Sequence, residues 1–334
     1  MAFQSSWFDS PSSFYLSAVR QHGIQSSNQI HQSAGQSVAD RYADLGRLAN
    51  SSEGVVGLVK NLSTLQTRVV KIIKRRNTRP LREARALQLA GPHRNLIEMF
   101  EVEYNPTGEA IMVLEYCRGG DLHSQILHFA AKGTQAPEAV VLHAMTQIAD
   151  ALAFIHGGWI RGQSSISYRV TDSPHTNFVH GDIKPENIFV RPLFGYGLPD
   201  FVLGDFGQAF QKDVEVRTGG GTNGYRAPEY YYSHKPPITA KADVYSYGIT
   251  MLHLCQGHNV PLFGCGQSPE QVWVPQYLHG YGIEAFLRGC LQPEPNGRLE
   301  MAPQGALMYT SVFRNRVDAL SIGVFYEFEM LISS

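Results

Sequence analysis

The sequence predicts an α+β protein of more than one domain, with strand-forming sequence early in the chain and helical sequence after it. Three observations support this. Val69-Val70-Lys71 reads as a strand, and its alternation puts Val69, Lys71 and Ile73 on one face and Lys74 on the other. A helical stretch runs from Leu81 to Leu89, and a longer helix ends near His156. At 334 residues and 43% hydrophobic content, the chain can bury a large core and exceeds one ordinary domain.

The densest chemistry lies in Val179-His180-Gly181-Asp182-Ile183-Lys184-Pro185-Glu186-Asn187-Ile188-Phe189. An acid, an ammonium and an amide fall within six positions, at Asp182, Lys184 and Asn187. A second carboxylate follows 18 residues after Asn187, in Asp205-Phe206-Gly207. Phosphoryl transfer from ATP requires such a set. One carboxylate orients the attacking hydroxyl, and an ammonium neutralises the moving phosphoryl. A carboxylate and an amide oxygen hold magnesium.

Further motifs follow in order: Ala227-Pro228-Glu229, Asp243-Val244-Tyr245-Ser246-Tyr247-Gly248, and Arg298 within Pro293-Glu294-Pro295-Asn296-Gly297-Arg298. Upstream stand Lys71 on its strand and Glu83 on its helix. Together these resemble the eukaryotic protein kinases of the Ser/Thr type, with His-Gly-Asp in place of His-Arg-Asp. The resemblance spans roughly residues 42–308 and implies a two-lobed protein kinase fold. Its strand-rich N-lobe is expected at 42–116, its linker at 115–120 and its helical C-lobe at 121–308.

The resemblance implies roles residue by residue. Asp182 accepts or orients the hydroxyl proton, and Lys184 steadies the phosphoryl. Asn187 and Asp205 bind Mg2+, while Lys71 pairs with Glu83 and contacts ATP. Lys74 competes with Lys71, but strand alternation favours Lys71. Thr222 bonds the catalytic acid, as in Ser/Thr kinases. Phe206 packs beneath the helix carrying Glu83, Gly207 completes the metal loop, and Glu229 pairs with Arg298. Asp243 anchors the catalytic loop from below. For the nucleotide, Leu114 stands as gatekeeper, with the backbone of Glu115 and Cys117 along the base and Asp121 facing the ribose. Val56, Val69 and Phe189 sandwich the ring. Gly54 matches the third position of the glycine-rich loop, but Ala49 and Ser51 occupy the first two. Weakened ATP binding follows from that departure.

Composition points to an intracellular protein, cytoplasmic or nuclear, with neither nucleic acid nor membrane as partner, while the resemblance implies a protein serine or threonine hydroxyl as substrate. The net charge is −1 and no run of 18 apolar residues appears. The N-terminus has neither the basic start nor the apolar core of a secretory signal. Cysteines 117, 255, 265 and 290 have no Cys-x-x-Cys spacing, so reduced thiols are expected. Residues 1–41 are expected to be disordered, since the first forty include ten Ser and six Gln and no Lys. Residues 157–178 form an insertion where relatives cross in a few residues, expected as a surface loop. The residues after Met301 match no family element, and 309–334 are read as a C-terminal tail of unknown structure, either a divergent final helix or a segment packing elsewhere.

Two other readings stay open: a catalytically silent scaffold, motivated by the degraded glycine loop and the insertion, and a small-molecule kinase, motivated by His-Gly-Asp. Gly181 also bears on regulation. It offers no cation to a phosphate on the segment from Asp205 to Glu229, so the sequence predicts activity without phosphorylation at Thr218 or Thr222.

Overall fold

The computed structural model describes residues 37–320, apart from 52–53, 74–78, 105–108, 163–166, 174, 193–196, 235 and 258–271. Lys74, most of the Ser/Gln-rich segment and the last fourteen residues therefore lie outside the described residues. The chain divides into two compact units. One comprises the described residues up to Ala84 with Glu98–Tyr116, and the other Arg85–Ile97 with the described residues from Cys117 on. This is the strand-rich and helical division of a two-lobed α+β protein.

The smaller unit is a five-stranded antiparallel sheet in the order β1-β2-β3-β5-β4. Its strands are β1 (Tyr42–Ser51), β2 (Gly54–Asn61), β3 (Thr67–Ile73), β4 (Met99–Tyr104) and β5 (Ala110–Glu115). One face carries the core, where Val59, Val70, Ile111 and Val113 pack with Tyr42 and with Val38 of a short helix, α1 (Val38–Arg41). Disorder expected through residue 41 is thus corrected for residues 37–41. Val38 is fully buried, and its N–H donates to Glu103 at 2.7 Å. Burying Val38 and Ala39 offsets the entropy of ordering this one turn.

Register assigns the other face. Val56 lies opposite Lys71, Lys71 opposite Met112, and Val69 opposite both Leu58 and Leu114. Directly paired residues share a face. Val56, Val69, Lys71 and Leu114 therefore stand together. Gly54 opens β2 where a Cβ would sit 1.9 Å from the Ile72 carbonyl oxygen, so close approach of β3 alone demands glycine.

α2 (Arg79–Ala90) contributes its first half to the smaller unit and its second half to the larger. The larger unit is built on α4 (Glu138–Gly157), preceded by α3 (Leu122–Ala131). By length and mean hydropathy, 1.4 over 18 residues, α4 could cross a membrane, but 94% of that window is buried inside the protein, as in a core helix. α5 (Ala240–Gln256) and α7 (Ala306–Leu320) pack against it, and α6 (Ile283–Cys290) packs against α5. Tyr247, Phe286 and Phe313 form an aromatic chain with centroids 6.0 and 5.4 Å apart, and the Tyr247 hydroxyl donates to Met145 O at 2.8 Å. Cys117, Cys255 and Cys290 are free thiols, and burial pushes those of Cys255 and Cys290 up.

One open reading is decided here and one expectation changes. Of the two readings of the C-terminal stretch, the divergent final helix holds as far as Leu320, because α7 runs on through residue 309. Leu307, Phe313 and Val317 are buried, and Arg316 Nε donates to Glu138 at 2.9 Å. The insertion is not merely a loop. It forms a hairpin of β6 (Trp159–Arg161) and β7 (Tyr168–Val170), entered through Gly158 at φ +69°. Asp150 of α4 explains its docking. The buried carboxylate accepts from Arg161 at 2.6 and 3.0 Å, from the Tyr168 hydroxyl at 3.2 Å and from Arg314 of α7 at 3.2 Å. Burial, with the Asp150 charge beside it, pushes the Tyr168 phenol up to about 12.

One acid therefore neutralises two arginines and ties the insertion to the last described helix. Asp150→Ala should cost about 2–3 kcal/mol, because it leaves two largely desolvated cations uncompensated. A urea midpoint unchanged from wild type would show that the cluster contributes nothing.

Candidate active site

In the larger unit, two short antiparallel strand pairs bring the acidic motifs side by side. β8 (Phe178–Val179) pairs with β11 (Phe210–Gln211), and β9 (Ile188–Arg191) pairs with β10 (Asp200–Leu203). Loops 180–187 and 204–209 are therefore neighbours. His180, fully buried, bonds the Gly204 carbonyl through Nε2 at 3.0 Å, and its ring meets Phe206 edge-on at 4.8 Å. Gly204 lets Phe189 approach, since a Cβ there would lie 2.7 Å from that ring.

Asp182 is the centre of the cluster. Its Oδ1 accepts from the Thr222 hydroxyl at 2.7 Å. Its Oδ2 lies 3.2 Å from both Lys184 Nζ and Asn187 Nδ2. Lys184 Nζ also donates to Thr222 Oγ1 at 2.9 Å, and Asn187 Nδ2 to the Asp182 carbonyl at 2.8 Å. With its N–H2 committed to Asp182, the Asn187 amide oxygen is turned the other way. Asp205 is held at φ +56°, ψ +71°, a left-handed backbone costing about 1–3 kcal/mol in a non-glycine residue. Its Oδ1 faces the Gly207 N–H at 3.4 Å.

Asp243 of α5 secures the loop from inside the core. It accepts from the N–H groups of His180 and Gly181 at 2.7 and 2.8 Å, and His156 Nε2 lies 2.9 Å away. The segment leaving loop 204–209 returns through Thr222 and is fixed at its end. The Tyr225 hydroxyl bonds His253 Nδ1 at 3.0 Å, and Ser246 donates to the Tyr225 carbonyl at 2.8 Å. Glu229 meets Arg298 in two bonds of 2.7 and 2.6 Å. Burial, then the Glu186 charge, raises the Tyr225 phenol. Burial, then Asp243, Glu229 and Asp182, raises that of Tyr230.

In the smaller unit, Lys71 Nζ lies 3.0 and 2.8 Å from the Glu83 oxygens, with both side chains largely buried. Leu114 is 8% exposed, and the Glu115 N–H donates to the Glu98 carbonyl at 2.9 Å. Across the division, Cys117 is buried. Asp121 pairs with Phe189 in a single β-bridge and uses Oδ1 to cap α3 through the Ser124 N–H at 2.7 Å. Capping by itself accounts for an acid at that position.

The structure thus gathers Asp182, Lys184, Asn187 and Thr222 at one point and Lys71 with Glu83 at another. Sequence reasoning passed over His156, which joins Asp243 from 87 residues away, and Gly204. A glycine directly before Asp205 was the one visible signal for the latter. Residues 42–304 match the family described as protein kinase domain.

This chain belongs to the protein kinase family. The kinase is similar to the receptor-like protein kinase BRI1-like 3 of Arabidopsis thaliana, 32% identical over 58% of this chain and 15% of that protein. It is also similar to CBL-interacting serine/threonine-protein kinase 7 of the same plant, 28% identical over 64% of this chain and 46% of that protein. A C-type lectin receptor-like tyrosine-protein kinase, again from Arabidopsis thaliana, is 29% identical over 45% of this chain and 24% of its own length. The kinase spans less than half of each of these relatives.

Proposed function

We propose that this kinase transfers the γ-phosphoryl group of Mg-ATP to serine or threonine hydroxyls of a protein. The observation that carries the reading is the cluster at Asp182, where Thr222, Lys184 and Asn187 converge on one carboxylate. These contacts hold the carboxylate in one orientation, which is what a group acting on a bound hydroxyl requires. As the hydroxyl oxygen bonds to the γ-phosphorus, the bond to the β-phosphate oxygen breaks and ADP leaves. The hydroxyl proton passes to Asp182, and the Lys184 ammonium faces the charge on the transferring group.

Asn187 and Asp205 fit Mg2+. They offer an amide oxygen and a carboxylate, the hard oxygen donors this ion takes. When bound, the ion would neutralise phosphate charge. Lys71, held by Glu83, would contact the phosphates. The apolar side chains sharing its sheet face, Val56, Val69 and Leu114, would line the base.

Serine/threonine preference rests on Thr222 beside Asp182 and on the relative named as a serine/threonine kinase, set against the relative named as a tyrosine kinase. Labelled ATP and libraries of Ser, Thr and Tyr peptides, with and without Mg2+, decide it. Transfer to tyrosine alone would refute the residue preference. Nucleotide-induced thermal stabilisation without any transfer would instead favour the silent scaffold. Lys71→Met should reduce transfer at least tenfold by removing a charge that stabilises the transferring phosphate, whereas Lys74→Met should be mild. The reverse order would show that the other lysine serves.

A further inference from the structure

Thr222 reaches Asp182 only if the chain from Phe210 to Thr222 is held, and little regular structure holds it. Between β11 and the short turn of helix at Pro228–Tyr231 there is no helix or strand among the described residues. Besides Lys212, whose Nζ donates to the His156 carbonyl at 3.0 Å, one cation in this stretch turns inward. Val214 and Val216 are 67% and 75% exposed and Thr218 is exposed, whereas the Arg217 side chain is only 16% exposed. Its guanidinium donates to the Gln208 carbonyl at 2.7 Å and to the Ala209 carbonyl at 3.4 Å, and it lies 4.9 Å over the Phe210 ring. Its own carbonyl accepts from Ile238 N–H at 2.7 Å.

The same Gln208 carbonyl is the atom nearest to where a side chain at position 181 would begin, 3.1 Å from a Cβ built on Gly181. Gly181 has φ +77° and Gly221 φ +68°, and a Cβ on Gly221 would come within 3.0 Å of the Gly181 carbonyl oxygen. The segment therefore recrosses the catalytic loop backbone to backbone. Arg217 fixes it from the other side.

We propose that Arg217 is an internal latch that positions Thr222 against Asp182, so that the segment is ordered without any phosphate. The proposal rests on the kinase reading and adds the regulation of that site. Arg217 is a positioning residue. Its charge is directed at backbone carbonyl dipoles eight and nine residues away, with the Glu215 carboxylate 3.8 Å off, and β11, which bears Phe210, is paired to the strand entering His180. A planar fork suits two adjacent carbonyls and one ring face, which a lysine ammonium matches only in part.

The test uses the full chain treated with phosphatase and shown by mass spectrometry to be bare at Thr218 and Thr222. It compares wild type, Arg217→Met and Arg217→Lys. Bare wild type should keep its full rate on Ser/Thr peptides. Arg217→Met should lower kcat roughly tenfold to a hundredfold, as misplacement of a positioned group does, while nucleotide-induced thermal stabilisation is retained. Amide hydrogen exchange over residues 209–222 should rise in Arg217→Met, and Arg217→Lys should recover part of both effects. Equal exchange in Arg217→Met and wild type would overturn the latch, as would a rise in exchange on dephosphorylating wild type. Wild type that transfers no phosphate in any state would refute the kinase activity, while the exchange comparison would still decide the latch.

Discussion

Asp182→Asn should lower kcat by about 10²- to 10⁴-fold, the usual range for losing a proton-accepting group at the reacting hydroxyl. The carboxylate accepts from Thr222 at 2.7 Å and faces Lys184 and Asn187 at 3.2 Å. An amide of the same shape presents an N–H2 to at least one of these donors and cannot take the hydroxyl proton. Mg-ATP binding should be nearly unchanged, because Asp182 is read as acting on the hydroxyl. Asp205→Asn should do the opposite and weaken Mg2+-dependent nucleotide binding, since it removes the carboxylate proposed to hold Mg2+. Peptide phosphorylation kinetics beside nucleotide thermal shifts separate the two. An Asp182→Asn enzyme at wild-type rate would show that the catalytic loop has been misassigned.

Arg298→Met should destabilise the protein by about 3–5 kcal/mol, the cost of leaving one member of a buried ion pair alone. The Arg298 side chain is fully buried and Glu229 nearly so. Besides Glu229, the guanidinium donates to the carbonyls of Gln292, Lys241 and Pro293 at 2.7, 2.9 and 2.6 Å and lies 5.0 Å over Tyr245. Methionine fills similar volume but leaves a desolvated carboxylate and takes the guanidinium donor away from three carbonyls. Total stabilities of about 5–15 kcal/mol make this a large fraction. Adding Glu229→Gln to Arg298→Met should recover part of the loss, because the isolated charge disappears. A urea midpoint within experimental error of wild type for the single variant would show that the pair carries no weight.

Much of the candidate site could be read from the chain because its members sit close together along it. Asp182, Lys184 and Asn187 fall within six residues, so one loop conformation places all three. Lys71 was separated from Lys74 by strand period and by its longer spacing to Glu83, and the register puts Lys71 opposite Val56 and Met112. The two-part α+β division was likewise legible, because the ordered motifs carry a resemblance whose family has that division. Where the chain departed from the expected pattern, local reading stopped. The stretch after Met301 and the insertion at 157–178 offered no motif, yet they fold as α7 and a docked hairpin.

By itself, then, the sequence determined the order of the motifs, the grouping of an acid, an ammonium and an amide around Asp182 and the strand face of Lys71, all matters of short spacing. Only the tertiary structure decided which distant groups share a charge. Arg314 reaches Asp150 across 164 residues, and His156 reaches Asp243 across 87. It also decided which of several exposed-looking cations turns inward, as Arg217 does toward Gln208 and Ala209. The physical reason is that a buried polar group must find a partner wherever packing leaves one. That choice depends on how helices and loops settle against one another, and no local pattern of residues records it.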